Sequence, residues 1–473
     1  MTDDYTGLPD ELHEECGVAG VWGVENASGV VFMALQALQH RGQQGCGIAS
    51  ADSGGSIRLL KETGLVKDVF TDRELAGLPG NLCIGHVRYP TSDVGGRENL
   101  QPFVLKGETG PFALAHNGNI INSREIQASL EAHGHLFHTT SDSEMFAHLI
   151  AMELAHKGME KAIMSAANML DGAFSAVVMT GDTLYACRDR YGFRPLSLGR
   201  LGNGYVVASE TCALETVGAE FLRDLEAGEL ISIRGGEVTS YRHSAVGGHR
   251  MCAMELIYFA RPDSVIEGCG VHPFRKASGK LLYKEHPADA DIVVGVPESS
   301  LSAAIGYAEA SGLPLEMGLI KNMYVARTFI QPNQSMREVG VKMKLTPVRS
   351  IVKDKRVVVI DDSIVRGTTS RQIVRMLRDA GAKEVHFRIA SPKYAWPCYY
   401  GIDTGTREQL IGARLNEEEI CAWLGADSLY YLSEKALLEA SGRSELCTAC
   451  FSGQYPTDLY GYAPDAKSRP GRK

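Results

Sequence analysis

The stretch VVVIDDSIVRGTT, residues 357–369, decides how the second half of this chain is built. Val357, Val358, Val359 and Ile360 run on without polar alternation, which marks a strand buried on both faces. Asp361 and Asp362 close that strand. Residues 363–369 then supply hydroxyls and one glycine before the helical pattern TSRQIVRMLRDAGA begins. A strand, a short polar loop and a helix in that order offer backbone N–H groups and a helix N-terminus to an anion. The position is the carboxyl end of a strand, where open α/β sheets bind ligands. Adjacent carboxylates there suit ribose hydroxyls and Mg²⁺, which takes oxygen ligands. The spacing of a Walker loop is absent.

The same rhythm extends on both sides. DIVVGVPES (291–299) and EVHFRIAS (384–391) are further short apolar runs, and SAAIGYAEASG (302–312) is a helical pattern reaching a glycine. Strands alternating with helices predict a parallel sheet. The first half reads differently. FSAVVMTGDTLYACRD (174–189) is two apolar runs around a Gly-Asp turn, a hairpin signal. GYVVASE and ELISIRGGEVTSY predict more strands, and REIQASLEAHG and SEMFAHLIAMELAHKG carry helical spacing. A Gly-rich stretch, SAVGGHRM (244–251), marks the boundary, and the tail from residue 463 is loose.

At 473 residues the chain suits two or three domains, and 44% hydrophobic with 22% charged residues is a globular composition. A net charge of -9 argues against a general nucleic-acid binder. No apolar run is long enough to span a bilayer. The first fifteen residues hold six acids and no Lys or Arg, the opposite of a secretory signal, so a cytoplasmic protein is expected. Eleven cysteines in a reducing compartment are expected as thiols, nucleophiles or metal ligands.

One segment runs against the overall charge. Between residues 321 and 349, Lys321, Arg327, Arg337, Lys342, Lys344 and Arg349 face a single acid, Glu338. By charge alone this is a solvated loop; beside an anion site it becomes a basic flap that closes over substrate.

The 357–369 stretch resembles the phosphoribosyltransferase signature. The resemblance implies binding of phosphoribosyl pyrophosphate, with Asp361 and Asp362 at the ribose and magnesium. Ser363, Arg366, Gly367, Thr368 and Thr369 would hold the 5-phosphate, and Ser299 matches a further magnesium position. KNMYVARTFIQP is similar to the closing loop of one branch, which implies that Lys321, Arg327 and Lys344 meet the substrate.

Near the start, EECGVAGVWG carries Cys16. A thiol is a nucleophile only when deprotonated, and a cysteine at a chain terminus can use its own α-amine as base. That would require removal of residues 1–15. The plainer reading is a small buried thiol. ALQHRGQQGCGI, GHVRYPTS and ALAHNGNIIN weigh against it, being glycine-punctuated and polar. In HNGN, the Asn117 side chain and the Gly118 N–H suit a developing oxyanion. Arg88 suits an α-carboxylate. Asp142 suits an α-amine, or equally the first turn of a helix.

Together these segments resemble the N-terminal-nucleophile glutamine amidotransferase domain. The resemblance makes Cys16 the nucleophile after a propeptide ends at Glu15, and puts Arg41 near bound glutamine. The sequence departs from that pattern at Gln44, Gly45 and Cys46, which leaves the role of Cys46 open, redox cross-talk with Cys16 included.

CTAC gives Cys447 and Cys450, which by spacing fit zinc or a redox pair. RMCAMELIYFARPDS and SPKYAWPCYYGIDT resemble the iron–sulfur-bearing branch of the amidophosphoribosyltransferase family. That resemblance implies a [4Fe–4S] cluster on Cys252, Cys398, Cys447 and Cys450.

The expected architecture is a propeptide (1–15), an Ntn-hydrolase αββα sandwich (16–245) of the class II glutamine amidotransferase type, a type I phosphoribosyltransferase domain with a parallel sheet (252–462), and a flexible tail (463–473). The expected activity is that of a pentosyl-transferring glycosyltransferase. It would make 5-phosphoribosylamine, glutamate and pyrophosphate from phosphoribosyl pyrophosphate, glutamine and water, at the start of purine synthesis. Magnesium, feedback inhibition by purine nucleotides, a homotetramer and an ammonia passage lined by Tyr258, Tyr324, Phe329 and Ile330 are implied by the same resemblance. No nucleic acid and no membrane are expected as partners. The alternative is a non-catalytic phosphoribosyl-pyrophosphate-binding regulator, which would have no use for Cys16 with HNGN. Hexosamine- or asparagine-forming amidotransferases would need a second domain whose signals are not visible.

Overall fold

The computed structural model describes residues 16–52, 54–89, 96–107, 110–243, 248–322, 345–460 and 467–468. The expected propeptide, Arg327, Lys344, Tyr324, Phe329 and Ile330 lie outside the described residues, as do most of the basic flap and the tail.

The first half is two stacked antiparallel sheets. One has seven strands in the order 220–224, 197–201, 204–208, 17–22, 82–88, 45–51, 57–63; the other has six, in the order 237–242, 229–234, 184–188, 172–179, 110–120, 103–107. The expected hairpin is the pair Gly172–Met179 and Leu184–Arg188, with Met179 opposite Leu184. Alternation along each strand builds three apolar layers. Val18, Ala49, Ile84, Ala115 and Val177 meet between the sheets. Outward residues of the first sheet pack on the helix Ala27–Ala37, and those of the second on Asp142–Leu154 and Met159–Met169. The result is an αββα sandwich, as expected.

In the second half, strands Ile292–Gly295, Arg356–Asp361, Glu384–Ile389 and Ser428–Tyr431 lie side by side, every pair parallel. Val358 and Ile360 face the helices Val271–Glu285 and Leu301–Ser311, while Val357 and Val359 face Thr368–Asp379 and Glu417–Leu424. All four are fully buried, each contributing about 1.5–3 kcal/mol by leaving water. The unbroken apolar run follows from that double burial.

The halves meet across a buried ion cluster. Arg41 pairs with Glu210 of its own half and with Glu255 of the other, and Glu255 also receives Arg194 at 3.2 Å. All four side chains are shut off from solvent. Burial opposes charge on Glu210, but Arg41 and His40 outweigh it and hold its carboxyl well below the usual range.

Candidate active sites

At one end of the inter-sheet layer the apolar residues give way to polar ones. Cys16 lies two residues before Val18, Asn117 two after Ala115, and His86 and Arg88 follow Ile84 by twos, so all face the same layer. Ser175 stands opposite Asn117 across the ladder. Asn117, His86 and Ser175 are fully buried. Neither polar atom of the Asn117 carboxamide, nor the Ser175 hydroxyl, nor Arg88 Nη1 has a hydrogen-bond partner among the described residues. Leaving such a group unsatisfied costs about 1–3 kcal/mol. A protein accepts that cost where a ligand supplies the missing atoms.

Cys16 Sγ lies 3.8 Å from the Tyr89 carbonyl oxygen. Burial lowers the pKa of Arg88; Cys16, Asp142 and Glu98 oppose that shift. Asp142 begins the helix Asp142–Leu154, behind the Ser141 cap, and its Oδ2 accepts the Ile120 N–H at 3.0 Å. The two readings of Asp142 are compatible: the helix start fixes it at the edge of this site. His116 stands 3.8 Å from Asp142 and contacts Ser143 Oγ at 2.7 Å. Gly118 has φ +137°, and a Cβ there would sit 1.9 Å from the Ala173 carbonyl oxygen, so only glycine fits. Arg41, expected near glutamine, is held by Glu210 and Glu255, and its stem lies against Gly17, where a Cβ would come within 3.4 Å of Arg41 Cδ, next to Cys16. Cys46 points to the helix side of its sheet, away from Cys16, and burial pushes its thiol up to about 12.

The second site gathers at the carboxyl end of Arg356–Asp361. Ser300 Oγ donates to Asp361 Oδ1 at 3.1 Å, Ser363 Oγ donates to Asp362 Oδ1 at 2.7 Å, and Ser299 donates to the other Asp362 oxygen. Burial raises the Asp362 pKa, against these hydroxyls and the nearby Arg275. Gly367 caps the helix Thr368–Asp379 with φ +86°, and a Cβ there would meet the Trp423 ring at 2.8 Å. Arg366 is buried beside it. Lys321 ends a strand paired with Leu345–Pro347 and lies 3.6 Å from Glu298, which brings the base of the expected flap to this site. A cavity of about 10 Å³, room for one water, is lined by Asp362, Ser299, Ser300, Arg275 and Ile257.

Four cysteines converge from three stretches of chain. Cys252 bridges Cys447 backbone to backbone, the Cys450 carbonyl accepts the Ala395 and Trp396 N–H groups, and the Tyr400 N–H points at Cys398 Sγ at 3.3 Å. Burial, then Cys252, Cys398 and Cys447, raises the Cys450 pKa. No three His, Cys, Asp or Glu side chains among the described residues stand close enough to share one metal ion. Four thiols on three segments are the donor chemistry that a [4Fe–4S] cluster takes.

Ser300, Arg275, Ser175 and Glu255 were not found from sequence. Ser300 adjoins the Ser299 motif and was within reach of it, and Glu255 lies inside the quoted RMCAMELIYFARPDS; Ser175 and Arg275 sit in stretches whose pattern is only that of packing.

Residues 86–216 match a glutamine amidotransferase domain model and residues 273–391 a phosphoribosyl transferase domain model. An amidophosphoribosyltransferase of Bacillus subtilis is 50% identical over 95% of both chains. The chain belongs to the amidophosphoribosyltransferase family. A Methanocaldococcus jannaschii amidophosphoribosyltransferase is 47% identical over 94% of this chain and 98% of its own. Among solved structures, the glutamine phosphoribosylpyrophosphate amidotransferase of B. subtilis complexed with ADP and GMP superposes with a TM-score of 0.89 at 49% identity, covering 96% of this chain and 99% of that one. A structure described as the allosteric regulatory enzyme of purine biosynthesis gives 0.90 at 49% identity, covering 94% and 97%. No described helix is long and apolar enough to cross a membrane.

Proposed function

We propose that this member of the amidophosphoribosyltransferase family makes 5-phosphoribosylamine, glutamate and pyrophosphate from phosphoribosyl pyrophosphate, glutamine and water, the first committed step of purine synthesis. The observation that carries this reading is the layer of unpartnered buried polar atoms around Asn117, opening onto Cys16, in a chain that also holds the acidic strand end and helix-capping loop.

Removal of residues 1–15 would free the Cys16 α-amine to act as base. Arg88 takes the glutamine α-carboxylate and Asp142 the α-ammonium. Cys16 Sγ attacks the amide carbon while Asn117 Nδ2 and the Gly118 N–H take the oxyanion. The C–N bond then breaks, ammonia leaves with a proton, and water hydrolyses the thioester to glutamate. In the second half, the ammonia lone pair forms the new bond to C1 of the ribose as pyrophosphate departs. The 5-phosphate sits on Ser363, Arg366, Gly367, Thr368 and Thr369, where the helix start favours negative charge. Lys321, Arg327 and Lys344 close from the flap. An ammonia route past Tyr258 would exclude water and keep ammonia unprotonated.

Asp361, Asp362 and Ser299 would hold magnesium, which offsets the charge of the leaving pyrophosphate. Cys252, Cys398, Cys447 and Cys450 would hold a [4Fe–4S] cluster in a structural or oxygen-sensing role, since neither half-reaction moves electrons. The B. subtilis relative solved with ADP and GMP supports purine nucleotides as feedback inhibitors. A cytoplasmic homotetramer with domains at 16–245 and 252–462 completes the proposal.

The test is to supply anaerobically purified protein with phosphoribosyl pyrophosphate, glutamine and magnesium. Glutamate and pyrophosphate should appear in equal amounts. Glutamate release with no pyrophosphate, or neither product, contradicts the reading.

A further inference from the structure

Tyr399, Tyr400 and Gly401 belong to the second half of the chain, yet they lie against the strand that carries Asn117 and Gly118. Asn119 Nδ2 donates to the Tyr399 carbonyl at 2.9 Å. The Tyr400 carbonyl accepts from Arg194, whose other terminal nitrogen reaches Glu255 at 3.2 Å. The Tyr400 ring stacks on Phe193, centroids 4.4 Å apart. Gly401 has φ +115°, and a Cβ there would come within 3.0 Å of Arg194 Nη2, 3.3 Å of the Gly118 carbonyl carbon and 3.5 Å of the Asn119 nitrogen. On the other side, Gly118 already leaves no room against Ala173. The Gly118–Asn119 peptide is therefore gripped between its own sheet and a segment of the opposite half.

We propose that residues 399–401 are a positioning clamp for the oxyanion donors, so that the glutaminase site is completed by the phosphoribosyltransferase half. The inference rests on the reading of Asn117 and Gly118 given above. Its physical ground is tolerance: oxyanion donors act only when about 2.7–3.1 Å from the developing charge. A displacement of about 1 Å costs on the order of a hundredfold in rate. Asn119 touches neither substrate nor nucleophile in this scheme. Its loss should act on the transition state and leave ground-state glutamine binding alone.

The test uses the full chain and compares wild type with Asn119→Ala, Asn119→Asp and Gly401→Ala. Asn119→Asp keeps the shape and loses the donor. Pyrophosphate release is measured with glutamine and with ammonia, and iodoacetamide alkylation reports the Cys16 thiol. The clamp predicts a fall in glutamine-dependent kcat of about tenfold to a hundredfold in all three variants. The KM for glutamine, the ammonia-dependent rate and the alkylation rate should each stay within about twofold. An unchanged glutamine-dependent kcat, a rise in KM alone, or equal losses with both nitrogen donors overturns the clamp. A wild type inactive with both donors overturns the functional reading, and the clamp with it.

Discussion

At the scale of single residues, the glutaminase half depends on groups that are buried and unsatisfied. Asn117 is the clearest. Its carboxamide is enclosed and has no partner among the described residues, so its part is played only when an oxyanion forms. Asn117→Ala should lower glutamine-dependent kcat by about 10²–10³ with little change in KM, and leave ammonia-dependent turnover intact. Steady-state kinetics with the two nitrogen donors check this. Much of this site was legible in the sequence, because HNGN and the cysteine near the start have few packing reasons to sit as they do. Arg41 was legible only in part. The family resemblance put it near glutamine, but its carboxylates come from Glu210 and Glu255, 169 and 214 positions away, and no local pattern announces such a pairing. Ser175 was invisible, since a lone serine in an apolar strand carries no signal until its ladder partner is known.

At the scale of elements, the phosphate loop works because a strand, a turn and a helix are joined without slack. Gly367 is the joint. It is left-handed, and the space a Cβ would need is taken by Trp423 and Ile411. Gly367→Ala should therefore shift the loop, raise the KM for phosphoribosyl pyrophosphate about tenfold or more, and cost upwards of about 1 kcal/mol in stability. Substrate titrations and urea unfolding check the two parts. The strand and helix here were plain in the sequence, because Val357 to Ile360 has the unbroken apolar run that only double burial explains. The αββα half was harder. Its strands were visible one by one, but their order in each sheet depends on pairings such as Gly17–Trp22 with Gly204–Ala208, far apart in the chain.

At the scale of the whole molecule, buried charge ties the halves together. Glu267 is one knot: Arg188 from the first half meets it at 2.6 Å, His249 at 2.9 Å and Arg443 at 2.8 Å. Burial alone would raise its pKa, but the His249 hydrogen bond and these charges bring it from 4.5 to about 2. A carboxyl whose folded pKa lies below its unfolded one stabilises the fold above the unfolded value, and that contribution is lost as pH falls through the folded value. Glu267→Gln should cost on the order of 3 kcal/mol near neutrality. The gap in stability between variant and wild type should hold above pH 4.5 and close as pH falls towards 2. Denaturation midpoints measured across that range decide it; a gap independent of pH would point to packing instead of charge. Nothing in the sequence pointed to this knot, since its members are isolated charges in unrelated stretches. The central claim is that two sites in one chain share ammonia. It is tested most directly by pyrophosphate release from phosphoribosyl pyrophosphate with Cys16→Ala, given glutamine or ammonia, beside wild type. The account predicts that wild type uses both donors and the variant uses ammonia alone. Undiminished glutamine use by Cys16→Ala, or no turnover by wild type with either donor, would contradict it.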